Sequence, residues 1–366
     1  MACHGMHPDG ISIADTARAF AAEMALGRAA RPSSFAMLPS HLPKFKTIPE
    51  AGAQAIVIDA GGTHLRVCRV LFDANGNAEI LDLQAGPIPG SGGVEISADA
   101  FFEGIAKAVS PCLNAVPNAP VGFCFSYPAQ VQPDLDARVV SLGKEVRVRG
   151  IEGASLRAGL LKHLATKPAK ITVLNDAVAA LWGGDNAHMS LIVGTGSNSA
   201  YYERDAVNIE SGCFDKFPRG DFDLAFDAAS AQPGRGVFEK TLGGAYLGSL
   251  ASDVLRGAAN EGLTSNAAPV FTPREMDEML MSGARTFEAF VFDLLYERAA
   301  KLLAANILGV FSHTRQNAGN VCIEGSTLRK SQPLLSKLRS HLPAHIQLTQ
   351  TDHCVAIGTA RAALHT

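Results

Sequence analysis

Two short glycine-rich segments and one acidic pair carry the residue types that could handle a phosphate group. Asp59-x-Gly61-Gly62-Thr63 places a carboxylate beside consecutive glycines. Backbone N–H groups hold phosphate oxygens where glycine lets the chain come close and take a positive φ. The neighbouring carboxylate can hold Mg²⁺ through its water shell. Alone, Gly-Gly-Thr between two strands serves equally as a hairpin turn. A second segment, Gly194-Thr195-Gly196-Ser197-Asn198, repeats the chemistry, and two such loops could grip one polyphosphate from opposite sides. Asn175-Asp176 closes an apolar run, at the strand end where open sheets place ligand-binding groups. Asp176 is the candidate general base, because phosphoryl transfer to a hydroxyl needs positioning, charge neutralisation and a carboxylate to take the hydroxyl proton. The alternative is that Asp176 caps a helix beginning at Ala177. Ser126, Lys144 and Asn208-Ile-Glu210 are polar residues bounded by apolar stretches. Such a set can fix a ring of hydroxyls, although each singly also suits a turn or a solvated position.

The elements that must position these residues follow from pattern. Gln54 to Asp59 is a short apolar run and His64 to Phe72 alternates, which predicts a hairpin around Ala60 to Thr63. Ala78 to Leu83 supplies a third antiparallel strand. A helix over 98–115 and the strand Val121 to Phe125 complete a mixed sheet covered by helices. A helix around 155–166 leads into the strand Ile171 to Asn175, and then the grammar restarts. Met189 to Val193, the Gly-Thr loop and Ser199 to Glu203 repeat strand, loop, strand, which implies a duplicated unit. The last third reads as helices at 276–281 and 287–316, a strand 321–325 breaking at Gly325 into a helix N-terminus suited to a nucleotide, a strand 345–348 and a helix 354–364. Upstream, 11–29 reads as an Ala-rich amphipathic helix ending near Gly27. Arg31 to Pro49, interrupted by Pro32, Pro39 and Pro43, reads as an irregular connector.

Composition narrows the partners. The 366 residues exceed what one core usually serves, which favours two lobes with a cleft. A net charge of −3 without a long basic run leaves no electrostatic footprint for nucleic acid or an anionic membrane. No spanning segment or export signal is evident, so a cytoplasmic location and a small-molecule substrate are expected. The seven cysteines form no C-x-x-C pair, and with the histidines dispersed they read as buried free thiols rather than a zinc or redox centre.

With these residues assembled, the chain from about residue 37 onward resembles the hexokinase family of the actin-like ATPase superfamily. Asp59-Ala-Gly-Gly-Thr-His-Leu-Arg66 is similar to the family's first phosphate segment, which implies a water-mediated Mg²⁺ role for Asp59 and puts Gly61, Gly62, Thr63 and Arg66 near the phosphates. Phe125-Ser-Tyr-Pro128 resembles a sugar segment, implying that Ser126 binds the hexose. Lys144 aligns with the lysine of a Thr-Lys pair, with Gly143 in place of the threonine. Leu174-Asn-Asp-Ala-Val178 resembles the segment that assigns Asn175 to sugar binding and Asp176 to base catalysis. Gly194 to Glu203 is similar to the second phosphate segment, with Gly194, Thr195 and Gly196 on the nucleotide and Asn198 on the sugar. Asn208-x-Glu210-x-Gly212-x-Phe214, in which Ser211 replaces a tryptophan, and Phe238-Glu239-Lys240 followed by Gly244 to Gly248 imply two sugar-binding carboxylates, Glu210 and Glu239. Glu324-Gly325-Ser326-Thr327 resembles the adenosine segment with one residue extra. The interval from Asn198 to Glu210 is shortened, and Asp352 to Thr359 lacks the usual glycine-serine-glycine pattern.

The resemblance implies an α/β fold of two duplicated ribonuclease-H-like (actin-like ATPase) lobes, each a mixed five-stranded sheet flanked by helices, with a cleft between them. Residues 1–44 are expected to pack on the large lobe, 45–176 with the helix 354–366 to form the small lobe, and 177–353 the large one. The implied activity is ATP- and Mg²⁺-dependent phosphorylation of a hexose, glucose at the 6-hydroxyl, and nothing in the sequence precludes a homodimer. The alternatives are a non-catalytic sugar sensor, or a kinase for another sugar or phosphoryl donor on the same fold.

Overall fold

The computed structural model describes residues 1–45, 48–62, 64–143, 146–264 and 269–365. Thr63 and Lys144 therefore lie outside the described residues. The chain opens with α1 (Ile13–Arg28), β1 (Leu38–Pro43), β2 (Gln54–Gly61), β3 (His64–Phe72), β4 (Ala78–Pro87), β5 (Ile96–Ser97) and α2 (Ala98–Ala115). Next come β6 (Val121–Phe125), β7 (Ala129–Val131), β8 (Ala137–Val139), β9 (Val148–Arg149), α3 (Leu156–His163), β10 (Ile171–Leu174) and α4 (Asp176–Gly183). Then follow β11 (Ala187–Val193), β12 (Ser197–Tyr202), β13 (Asp205–Asn208), α5 (Asp221–Ala229), α6 (Val237–Leu242), α7 (Leu247–Asn260), α8 (Pro273–Met281) and α9 (Phe287–His313). The last are β14 (Gly319–Glu324), α10 (Ser326–Lys330), α11 (Gln332–Ser340), β15 (Ile346–Thr349) and α12 (Cys354–His365).

Two large sheets share one plan. The five-stranded sheet runs β10-β6-β2-β3-β4 and the six-stranded sheet β1-β13-β12-β11-β14-β15. Read outward from β2 and β11, the strand orders correspond position for position, which is the duplication expected from the repeated strand-loop-strand grammar. In the first sheet β2, β3 and β4 are antiparallel neighbours, whereas β6 and β10 run parallel to β2. The sixth strand, β1, corrects the irregular connector expected over Arg31 to Pro49. It pairs antiparallel with β13 at the sheet edge, with a register shift between Pro39 and Pro43 and His41 at φ +57°. An edge strand needs N–H donors on one side only, so proline is tolerated there.

The chain packs into two compact bodies, one of residues 1–37, 188–199 and 209–350, the other of residues 38–187, 200–208 and 351–366. In the second body both faces of the five-stranded sheet are covered, which is why β2 reads as a continuous apolar run. Alternate residues go to opposite faces. Ile56 and Ile58 meet Phe101, Ile105 and Val109 of α2, while Ala55 and Val57 meet Ile357, Ala360 and Ala363 of α12. In the first body α1 lies on α9, with the Phe20 side chain against Gly309 so closely that a Cβ there would stand 2.8 Å from the Phe20 Cβ and 2.9 Å from its ring. Arg298 of α9 and Asp223 of α5 form a two-pronged ion pair, with side chains only 1% and 3% exposed. Among the described residues no helix is long and apolar enough to cross a membrane.

Candidate active site

In the second body the site residues gather at the carboxyl ends of three adjacent parallel strands. Asp59 on β2 is level with Cys124 on β6, and Cys124 with Leu174 on β10. The residues that follow, Gly61, Ser126, Asn175 and Asp176, therefore emerge from one sheet end, where a parallel sheet leaves strand ends open to ligand. Arg66 lies opposite Asp59 across the β2–β3 hairpin and its Nη1 donates to Asp59 Oδ2 at 3.1 Å. The Asp59 side chain is 15% exposed, so it is shielded yet reachable.

The hairpin turn requires its glycines. Gly62 takes φ +54°, and a Cβ on Gly61 would stand 2.9 Å from Ser126 Oγ. The Tyr127 hydroxyl donates to the Gly62 carbonyl, and Ser126 N donates to the Ala60 carbonyl at 3.1 Å, which ties the turn to the strand carrying the Ser126 side chain.

The helix cap weighed for Asp176 belongs instead to Asn175. Asn175 has extended φ −79° and ψ 156°, and its Oδ1 accepts from Ala177 N at 2.9 Å. Asp176 is the first helical residue of α4, as an acidic group at a helix N-terminus favours. Cys124 links the two carboxylates. Its buried thiol is pushed well up, first by desolvation and then by the charges of Asp59 and Asp176, so it is an inert packing residue between two acids.

In the first body the second glycine-rich segment is the hub of a backbone cluster. Gly194 N donates to Gly196 O at 2.9 Å, closing the turn between β11 and β12. Gly244 N donates to Gly194 O at 2.8 Å and Ala245 N to Thr195 O at 3.0 Å. Thr327 Oγ1 donates to Gly194 O at 2.9 Å. Gly325, at φ +92°, lies so close to β11 that a Cβ would stand 2.4 Å from the Val193 carbonyl, and Ser326 then opens α10. The structure thus brings Gly194, Thr195 and Gly196 together with Gly325, Ser326 and Thr327.

Beside that hub stand Asn198, Glu210 and Glu239. Asn198 Oδ1 accepts from Ser211 N at 3.3 Å, which joins β12 to the turn after Glu210, itself held at φ +61°. Glu239 is wedged among glycines: added Cβ atoms on Gly196 and Gly212 would stand 2.3 and 3.3 Å from its Oε2, and one on Gly236 2.7 Å from its Oε1. Burial pushes the Glu239 carboxyl up to about 7, with the Glu210 charge adding to the rise and a hydrogen bond from Ser197 N opposing it. Next to it in sequence, Lys240 Nζ donates to Asp227 Oδ1 at 2.5 Å and to Gln232 O at 2.7 Å, fixing α6 and therefore Glu239.

The sequence reading missed Cys124, Gly236, Asp227 and Lys240 as supporting residues. The density of glycine from Gly234 to Gly248 was the available signal, because it marks close approach. The partnership of Asp227 with Lys240 had no signal in spacing.

A duplicated sheet plan with a glycine-bearing hairpin in each copy, the first carrying Asp59, is the plan of the actin-like fold. The chain belongs to the hexokinase family: two family models, both described as hexokinase, match residues 2–185 and 188–289. Hexokinase-1 of Schizosaccharomyces pombe is 27% identical over 320 residues, 76% of this chain and 64% of that protein. Hexokinase-1 of Homo sapiens is 28% identical over 68% of this chain, but that region is only 29% of the human protein. The chain therefore spans less than two thirds of the length of these relatives. Among solved structures, the hexokinase from Schistosoma mansoni complexed with glucose has the same fold, with TM-score 0.78, 22% identity and coverage of 98% of this chain and 97% of that one. A second hexokinase crystal structure gives TM-score 0.81 at 20% identity, covering 99% and 98%.

Proposed function

We propose that the protein is a hexokinase that moves the terminal phosphoryl group of ATP to a hexose hydroxyl, that of glucose at carbon 6, in the cytoplasm. The observation that carries this reading is the pair Asp59 and Asp176 at one end of the parallel strands, on either side of Cys124. One carboxylate beside a glycine turn and one at a helix start fit two different tasks.

Asp176 takes the proton from the attacking hydroxyl, which is a poor nucleophile until that proton has somewhere to go. Ser126 and Asn175 orient the sugar, as Lys144 does by family resemblance. Asn198, Glu210 and Glu239 accept hydrogen bonds from sugar hydroxyls, and those to the carboxylates are charge-assisted. The backbone of Gly61 and Gly62 and that of Gly194, Thr195 and Gly196 hold phosphate oxygens, as Thr63 does by family resemblance, and Arg66 adds positive charge. Gly325, Ser326 and Thr327 hold the nucleoside end. Asp59 offers a single hard oxygen donor group, partly exposed, which fits a hydrated Mg²⁺ bound through water. When bound, that ion would neutralise charge on the phosphates.

The reading is tested by ADP release with ATP and Mg²⁺ against glucose, fructose, mannose, N-acetylglucosamine and water alone. Release that depends on glucose is expected. Release with water equal to that with every sugar would refute it, and faster formation of sugar phosphate with GTP or polyphosphate than with ATP would replace the donor.

A further inference from the structure

Far along the chain from the residues above, Cys3 Sγ, a His4 ring nitrogen and a Glu261 carboxylate oxygen all lie within 4.8 Å of one another. Cys3 and His4 belong to a single 3₁₀ turn, Ala2–His4, and Glu261 is the residue that ends α7. The His4 ring is held between two carboxylates, with Nε2 at 2.6 Å from Glu261 Oε1 and Nδ1 at 3.0 Å from Asp221 Oδ2. The edge of the ring packs on Phe222, with centroids 5.2 Å apart, which fixes its plane.

We propose that Cys3, His4 and Glu261 bind a zinc ion, with Asp221 as the positioning residue for His4. A thiolate, an imidazole and a carboxylate are the three ligand types zinc takes, whereas Mg²⁺ and Ca²⁺ take oxygen donors. Bond lengths of about 2.0 to 2.3 Å put tetrahedral donors ~3.5 Å apart, so small side-chain rotations suffice to close this group on one ion. Asp221 meets the remaining ring nitrogen. A carboxylate there fixes the tautomer that leaves Nε2 free to ligate, as the partners of metal-bound histidines commonly do. Binding releases the thiol proton and the proton shared between Nε2 and Glu261, and water completes the fourth position. The ion would join the turn Ala2–His4 to the end of α7 and, through Asp221, to the start of α5. His4 and Glu261 side chains are 27% and 45% exposed, so the ion enters without opening the core.

The test is a Co²⁺ titration of the full chain, reduced, without a tag and freed of metal. One equivalent of Co²⁺ is expected to give the visible bands of a tetrahedral site and a near-ultraviolet thiolate band, both removed by one equivalent of Zn²⁺. Cys3→Ser should abolish the thiolate band, and Asp221→Asn should weaken zinc binding by about 10- to 100-fold. Cys213→Ser, at another exposed thiol, should leave the spectrum unchanged. Absence of tetrahedral bands, a thiolate band that survives Cys3→Ser, or one that disappears with Cys213→Ser overturns the proposal.

Discussion

Glu239 carries a conflict that a substrate can resolve. It is buried among three glycines and near Glu210, so its proton is retained to about 7 rather than the ordinary 4.5. Between those values the folded chain holds a proton that the unfolded chain has lost, so stability falls as pH rises across that interval. The ionised form is the better acceptor for a sugar hydroxyl. The hexose KM is therefore expected to fall as pH rises through 7, and Glu239→Gln should flatten that dependence while raising KM at alkaline pH. Initial rates at a series of pH values measure it. A wild-type KM independent of pH would remove Glu239 from the sugar site. Glu210→Ala should likewise raise KM, and at low pH its loss should matter least if the two acids act on one another.

At the scale of elements, the position of Asp176 depends on how α4 meets α12. A Cβ on Gly358 would stand 1.8 Å from the Ala179 carbonyl oxygen and 2.5 Å from Gly183 N, and one on Gly183 1.8 Å from the Cys354 carbonyl. The two helices touch through their backbones. Gly358→Ala should force them apart at a cost of about 1 to 3 kcal/mol, lowering Tm and, because α4 opens with Asp176, kcat as well. Gly92→Ala, which would meet nothing within 4 Å, should change neither. A Gly358→Ala enzyme with unaltered kcat and Tm would contradict this account of α4.

The same elements show what could be read in advance. The hairpin of β2 and β3, the strands β6 and β10 and the duplication were legible because period-two patterns and glycine loops are local signals. Strand β1 was not, since Pro39 and Pro43 look like breakers until an edge partner, β13, is known. Helices α6 and α7 were legible only as motif fragments around Glu239, because Gly234, Gly236, Gly243 and Gly244 interrupt the helical period, and α5 was not read from the sequence. Asp176 reads from the sequence as either the α4 cap or the general base, whereas Asn175 takes the cap through backbone geometry that residue type alone does not distinguish.

The whole molecule cannot be cut at one point into its two bodies, because the chain passes between them repeatedly. Residues 351–366 complete the second body: Ile357, Ala360 and Ala363 of α12 cover the sheet face of Val57 and Val70, and Thr359 lies against Gly122. Deleting these residues exposes that face and should leave a chain that fails to fold cooperatively. The single tryptophan, Trp182, is fully buried on α4 with its ring edge-on to His365, 5.3 Å between centroids. Its emission should be red-shifted in the truncated protein and blue-shifted in the intact one, and equal emission with equal unfolding midpoints would refute the role given to α12. Within the first body, Asp223→Ala should cost about 3 to 5 kcal/mol, since it strands the buried Arg298 guanidinium; urea unfolding measures the loss.

The measurement that bears most directly on the kinase reading compares wild type with Asp176→Ala in glucose-dependent ADP release, with glucose binding followed by calorimetry on both. The account predicts a kcat lower by at least about 10²-fold in the variant, the usual size of a general-base contribution, with binding retained. A variant with near wild-type kcat, or a wild-type protein that binds glucose and releases no ADP, would contradict it.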